Sequence, residues 1–177
     1  RRNCPIRRYR DRCPDGTAGG GQGIYLYNDV SGNFGGAIRG SSFDFLSGDA
    51  IDVNTILADG GTSTLSLTIE DSSAYSPDVD GLHFYTSVTA GSDIAVDLTV
   101  DGFDVIYAGD EGISIFNDAG GAGSTIDGTG SFALTDVYVY GAGDYGVFFG
   151  NYADTLASID ADFHFNGVEA VENSSVG

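Results

Sequence analysis

Acidic side chains at a fixed offset from a recurring residue pair are the groups in this sequence best arranged for chemistry. Asp49, Asp80, Glu111 and Glu169 each directly precede a small residue followed by an apolar one, and Asp144 stands two before Gly146. Carboxylates are hard oxygen ligands, so a column of them built by chain repeats would take calcium as its cofactor. Like charges stacked about 5 Å apart repel unless cations, salt or splayed side chains relieve them. The competing reading is that these acids only cap exposed corners. Partners for acid–base catalysis are scarce. His83 lies between Leu82 and Phe84, and His164 between Phe163 and Phe165, so alternation points both rings outward. The chain has no Lys, and Arg39 is its one arginine beyond Arg12. Cys4 and Cys13, each followed by Pro, are spaced for a small disulfide loop formed in an oxidising compartment. Two free thiols are the alternative. With no His nearby, a zinc site is not expected.

The elements that must position these residues repeat. Gly23-Ile24-Tyr25-Leu26-Tyr27-Asn28 is followed by Ala50-Ile51-Asp52-Val53-Asn54, Gly81-Leu82-His83-Phe84-Tyr85-Thr86, Gly112-Ile113-Ser114-Ile115-Phe116-Asn117 and Gly146-Val147-Phe148-Phe149-Gly150-Asn151. Ala170-Val171-Glu172-Asn173 reads as a last, shorter copy. The intervals are 27, 31, 31, 34 and 24 residues. A second element reads Phe43-Asp44-Phe45, Phe103-Asp104-Val105, Val137-Tyr138-Val139 and Phe163-His164-Phe165. A third alternating run includes Leu65 to Ile69, Ile94 to Val100 and Phe132 to Leu134.

Period-two alternation means strands with one buried face, and recurrence at this period marks solenoid coils. The expected fold is all-β: a parallel β-solenoid of five to six coils, right-handed because parallel crossovers favour that hand. A β-sandwich is the alternative, but it gives no reason for the Gly-apolar unit to recur. Stacking would place Ile24, Ile51, Leu82, Ile113 and Val147 in one interior column. Leu26, Val53, Phe84, Ile115 and Phe149 would form the next. Asn28, Asn54, Asn117, Asn151 and Asn173 recur where strands end, so a ladder of turn amides is expected. Tyr25, Tyr27, Tyr138 and Tyr140 fall on outward positions, where aromatic rings can stack on sugars or dock a partner.

Charge divides the chain. Its 177 residues carry a formal net charge of -19. Residues 1–12 hold six Arg against Asp11 alone, a net of +5, while the rest holds Arg39 against 25 acids, a net of −24. The expected organisation is an Arg-rich leader with the Cys4/Cys13 loop over 1–21, then a repeat domain over 22–177 that continues past the C-terminus in a parent protein. So acidic a body repels phosphate backbones, so nucleic acid is not an expected partner. No apolar run is long enough to span a membrane.

The repeats resemble secreted bacterial right-handed β-helices, notably autotransporter passenger regions and polymorphic outer-membrane proteins. Gly35-Gly36-Ala37-Ile38 and Phe163-His164-Phe165-Asn166 match the repeat motifs of the latter. The resemblance implies an extracellular or cell-surface location in bacteria and a role in display, adhesion or scaffolding. The expected function is therefore a non-catalytic structural or adhesive module, including self-assembly into a fibre or surface layer. Its expected partners are other subunits, copies of itself or polysaccharide. The alternative is a fragment of a polysaccharide lyase or hydrolase, whose mark would be a groove of convergent carboxylates beside Arg39.

Overall fold

The computed structural model describes residues 21–29 and 31–174, and the side chains of 128–131 are outside that description. The Arg-rich segment and the Cys4/Cys13 pair lie outside the described residues. The alternating runs become strands, and no helix forms among the described residues. The first coil holds β1 (Ile24–Asn28), β2 (Gly32–Arg39) and β3 (Ser42–Asp44). The second holds β4 (Ile51–Leu57) and β5 (Thr62–Tyr75), and the third holds β6 (Leu82–Val88) and β7 (Asp93–Ile106). The fourth holds β8 (Ile113–Ala119), β9 (Thr125–Thr135) and β10 (Tyr138–Tyr140). The fifth holds β11 (Val147–Ala153), β12 (Ser158–Asn166) and β13 (Glu169–Val171).

Strands of successive coils pair in parallel, giving one sheet ordered β1-β4-β6-β8-β11 and a second, eight-stranded sheet from the rest. The chain is a parallel β-solenoid. Both interior columns form in the expected register, from Ile24 through Val147 and from Leu26 through Phe149. A parallel ladder between coils is incompatible with a sandwich of antiparallel hairpins.

Register corrects two sequence alignments. Ala170 pairs with Val139 in the second sheet, so Ala170-Val171-Glu172-Asn173 is not a sixth copy of the β1 element. Phe163 stacks on Phe132 and Leu98, in the column of the third alternating run rather than with Phe43 and Phe103. A left-handed residue occurs at the same corner of every coil and explains the slip: Gly40, Asp71, Gly102, Asp136 and Gly167 all have φ between 48° and 66°. Asp tolerates that conformation through its short polar side chain. A Cβ at Gly102 would lie 3.3 Å from the Asp71 carboxylate, and one at Gly167 would collide with that of Asp136.

The amide ladder is also corrected. Asn28 aligns with Thr55, Thr86, Asn117 and Asn151, whereas Asn54 lies one residue earlier, between Tyr27 and Tyr85. A one-residue offset turns a side chain to the opposite face of the sheet. Only the Asn117 and Asn151 amides join, at 2.9 Å. Asn173 serves another corner, where its Oδ1 accepts the Ala142 N–H at 3.0 Å. The true column points into the core, and Thr55 Oγ1, Thr86 Oγ1 and Asn117 Oδ1 are buried without a partner. An unpaired buried hydroxyl costs on the order of 1–3 kcal/mol. Thr86→Val, which keeps the shape and removes the hydroxyl, is therefore expected to raise stability by about 1 kcal/mol in urea unfolding. A loss of stability instead would mean that Thr86 is hydrogen-bonded in solution.

Candidate functional site

The acidic corner is built by the backbone step that precedes the first sheet. Gly23, Ala50, Gly81 and Gly112 donate their N–H groups to the carbonyls of Asp49, Asp80, Glu111 and Tyr145. The column is thus Asp49, Asp80, Glu111 and Tyr145. Asp144 is one residue out, with its N–H bonded to the Asp110 carbonyl. Glu169 lies in the other sheet, opposite Tyr138. Two of the five expected acids therefore leave the column: counting from Gly146 misjudges the step, and the Glu169 copy belongs to β13.

Within the column the first two carboxylates meet the next coil's backbone. Asp49 Oδ1 accepts the Asp80 N–H at 3.0 Å, and Asp80 Oδ1 accepts the Glu111 N–H at 3.0 Å. Such charge-assisted bonds allow an acid to be buried, and Asp80 is only 3% exposed. The outer face of the first sheet adds Asp52, aligned with His83. Asp52 accepts bonds from Gln22 at 3.0 Å and from the Asn54 amide. His83 Nδ1 lies 3.2 Å from Asp80 Oδ2. The His83 ring is thus half-buried against an acid rather than a freely exposed strand residue. Asp52, Asp110 and His83 were missed as members of this cluster, although the interior columns already placed Asp52 beside His83.

Crowding raises proton affinities here. Burial pushes the Asp49 carboxyl up and outweighs the hydrogen bond from the Asp80 N–H, which pulls it down. Burial likewise raises Asp52, with Asp49 contributing. Glu111 is pushed up to about 7 by burial, by a hydrogen bond shared with Asp80, and by the charges of Asp80 and Asp110. The Asp80 hydrogen bond raises His83 and outweighs the effect of its burial. Among the described residues, Asp80, Asp110 and Glu111 have carboxylate oxygens within 4.8 Å of one another, close enough to share one cation. Arg39 is elsewhere, paired with Glu70 on the second sheet.

A second surface runs up the side of the solenoid. Phe45, Tyr75, Tyr107 and Tyr140 form an edge-to-face ladder, with ring centroids 5.2, 6.1 and 5.4 Å apart. Phe45, Tyr75 and Tyr107 are 51%, 40% and 49% exposed. Phe45 and Tyr107 hold φ of 53° and 57°, a conformation that bulky residues seldom adopt. Tyr140 hydrogen-bonds to the Glu172 carboxylate, which pushes its hydroxyl up to about 12. Tyr138 is half-buried and stacks beside Tyr140 with centroids 6.4 Å apart. Tyr25 and Tyr27 are exposed on the first sheet as a stacked pair 6.2 Å apart. Of the expected outward tyrosines, only Tyr140 joins the ladder. The ladder's sequence signal is aromatic spacing of 30, 32 and 33 residues, close to the coil repeat.

Among the described residues no helix is long and apolar enough to cross a membrane. Searches against protein-family models, curated proteins and solved structures find no match to this chain.

Proposed function

We propose that the protein is a non-catalytic extracellular or cell-surface scaffold of bacterial origin, similar in kind to autotransporter passengers, that binds through its aromatic side. The supporting observation is the Phe45–Tyr75–Tyr107–Tyr140 ladder: four rings along the solenoid axis, the first three exposed and Tyr140 half-buried, held partly by strained backbone. Backbone in sparsely populated conformations costs on the order of 1–3 kcal/mol per residue and persists only where the surrounding structure enforces it. Exposed contiguous apolar surface marks interaction sites. Rings spaced along a rigid axis suit a polysaccharide or a neighbouring subunit of a fibre or layer.

The test measures retention on insoluble polysaccharides, and self-association by sedimentation velocity, for wild type and Tyr75→Ala/Tyr107→Ala. Removing two rings is expected to weaken whichever interaction occurs about tenfold or more, at roughly 1 kcal/mol per ring. Binding that survives both substitutions unchanged overturns the aromatic-face reading. Calcium at Asp80, Asp110 and Glu111 is proposed as a stabilising cofactor. Millimolar calcium is expected to raise the melting midpoint more than NaCl of equal ionic strength, and Glu111→Gln to remove the difference.

A second reading has one observation in its favour. A carboxyl protonated near neutrality beside Asp80 and His83 could act as a general acid in a polysaccharide lyase or hydrolase. Release of new sugar ends from an acidic polysaccharide, abolished by Glu111→Gln, would favour it.

A further inference from the structure

We propose that the two ends of the solenoid are an interaction surface for a second copy of this chain, the last coil of one copy stacking head-to-tail on the first coil of the next. The contact lies at the coil ends, so the inference goes beyond the aromatic ladder and does not rest on it.

Open edges are the first observation. Among the described residues, β1, β2 and β3 at one end and β11, β12 and β13 at the other are paired on one side only. Such edges present rows of N–H and C=O groups that another strand can complete. The interior columns open there too. Leu98 and Val100 are fully buried in the third coil. In the same columns of the fifth coil, Phe163 is half-buried and Phe165 is 53% exposed.

Register and size are the second. Followed down the columns, Ile159 and Phe163 lead to Gly32 and Gly36, and both pairs are four residues apart. Phe165 and Ala170 lead to Ile38 and Phe43, and both pairs are five apart. The first three strands of a second copy therefore match the last three strand for strand. In that register bulky residues meet small ones. Phe163 arrives over Gly36, where a Cβ would meet nothing within 4 Å. Ala170 receives Phe43, and Gly150 receives Tyr27. Asn151, which already accepts the Asn117 amide at 2.9 Å, comes opposite Asn28 and carries the amide ladder across the junction. With their corners, β1 to β3 supply about 20 residues, the size of one side of a stable interface.

Charge is the third. Residues 146–174 hold five acids and no Arg, a net of −5, whereas residues 21–48 hold Asp29, Asp44 and Arg39, a net of −1. Two last coils end to end would set the more acidic ends against each other. Last on first places no acid on an acid within the three strand pairs. Asp160 meets Asn33, Asp162 meets Gly35, Glu169 meets Ser42, and Asp44 meets Val171. The Asn33 amide and the Ser42 hydroxyl are donors suited to those carboxylates. A head-to-tail contact between identical copies does not close, so it grows into open chains.

Sedimentation velocity on the full chain tests this over a concentration series, at an ionic strength that screens the net charge. Wild type is expected to pass beyond a dimer as concentration rises. Gly36→Phe fills the first-coil end, and Phe165→Asp puts an unpaired charge into the last-coil end. Each is expected to weaken association about tenfold or more. An equimolar mixture of the two variants keeps one intact end of each kind, so it is expected to form a dimer that grows no further. Wild type that stays monomeric at every concentration overturns the proposal, as does either variant assembling as strongly as wild type. If circular dichroism shows that a variant has lost the wild-type melt, Asn33→Asp takes over the test. Asn33 is exposed, and the new acid meets Asp160 only across the junction. Weaker association that added salt restores supports stacking, and unchanged association overturns it. The ladder variant Tyr75→Ala/Tyr107→Ala separates the two readings. Self-association that survives it but fails in the end variants belongs to the coil ends, and polysaccharide retention then tests the ladder by itself. A monomeric wild type whose polysaccharide retention needs Tyr75 and Tyr107 sinks stacking and leaves the aromatic-face reading standing.

Discussion

The melting midpoint of this protein is expected to fall on the order of 5 °C between about pH 4.5 and pH 7, a window set by raised proton affinities at its acidic corner. The Glu111 carboxyl has an ordinary value of 4.5 and is pushed up to about 7 in the fold. Between those values the folded state binds a proton that the unfolded chain releases. Stability therefore falls as pH rises through the window: the penalty is absent below the lower value and complete above the upper. Asp49 and Asp52 are raised mainly by burial, so their penalties begin at lower pH and carry the same sign. His83 is also raised, so its stabilising charge is present at low pH and is lost as pH climbs through its folded value. All four groups act in one direction. Partial exposure of Glu111 lets solvent screen its share, which moderates the expected slope. Scanning calorimetry at fixed ionic strength, on wild type and Glu111→Gln, checks this. The variant should be flatter through the neutral range. An unchanged slope would assign the effect to general self-repulsion of an acidic surface, which added salt would suppress.

Gly112→Val is expected to cost about 3 kcal/mol or more, because it overpacks a site closed on two sides. A Cβ at Gly112 would collide with Val139 Cγ1 and lie 2.5 Å from the Gly146 carbonyl oxygen. Neither neighbour can yield, since Val139 is fully buried and the carbonyl accepts the Ile113 N–H in the ladder. Gly81 is in the same position against Val105 and the Gly112 carbonyl, at 2.5 Å from each. For a chain of this length the loss corresponds to a fall of roughly 6–12 °C in melting midpoint. Ala50 occupies the equivalent place in the second coil and is fully buried, so that coil accepts a methyl. Ala50→Gly should therefore cost only about 1 kcal/mol, from the lost methyl and the freer unfolded chain. If Gly112→Val melts like wild type, the coil junction is looser than this packing implies.

These glycines show how far the sequence could be read. The Gly-apolar-x-apolar unit revealed the repeat because two physical needs coincide there. The corner requires a residue without a side chain, and the next strand requires alternation. Pattern alone was enough to align Ile24 through Val147, since one face of every such strand is buried. It failed at Ala170, where a small residue and an apolar one recur for a different reason: they follow Gly167 at a left-handed corner of the other sheet. The column of acids failed at Asp144 for a related cause. Distance from Gly146 does not give stacking when a neighbouring residue, Tyr145, occupies the step.

Pattern and composition alone specify the solenoid, its interior columns, the charge contrast between residues 1–12 and the rest of the chain, and the presence of acids at a corner. Each of these follows from short-range periodicity or composition. Which side chains meet depends on how the coils stack. Asp52, His83 and Asp110 join Asp80 and Glu111 because a register fixed by hydrogen bonds brings separate coils together. Phe45, Tyr75, Tyr107 and Tyr140 become one surface because left-handed corners turn Phe45 and Tyr107 outward. In a parallel ladder one residue of offset moves a side chain to the other face, and that offset is set by hydrogen bonds between residues about a coil apart in the chain.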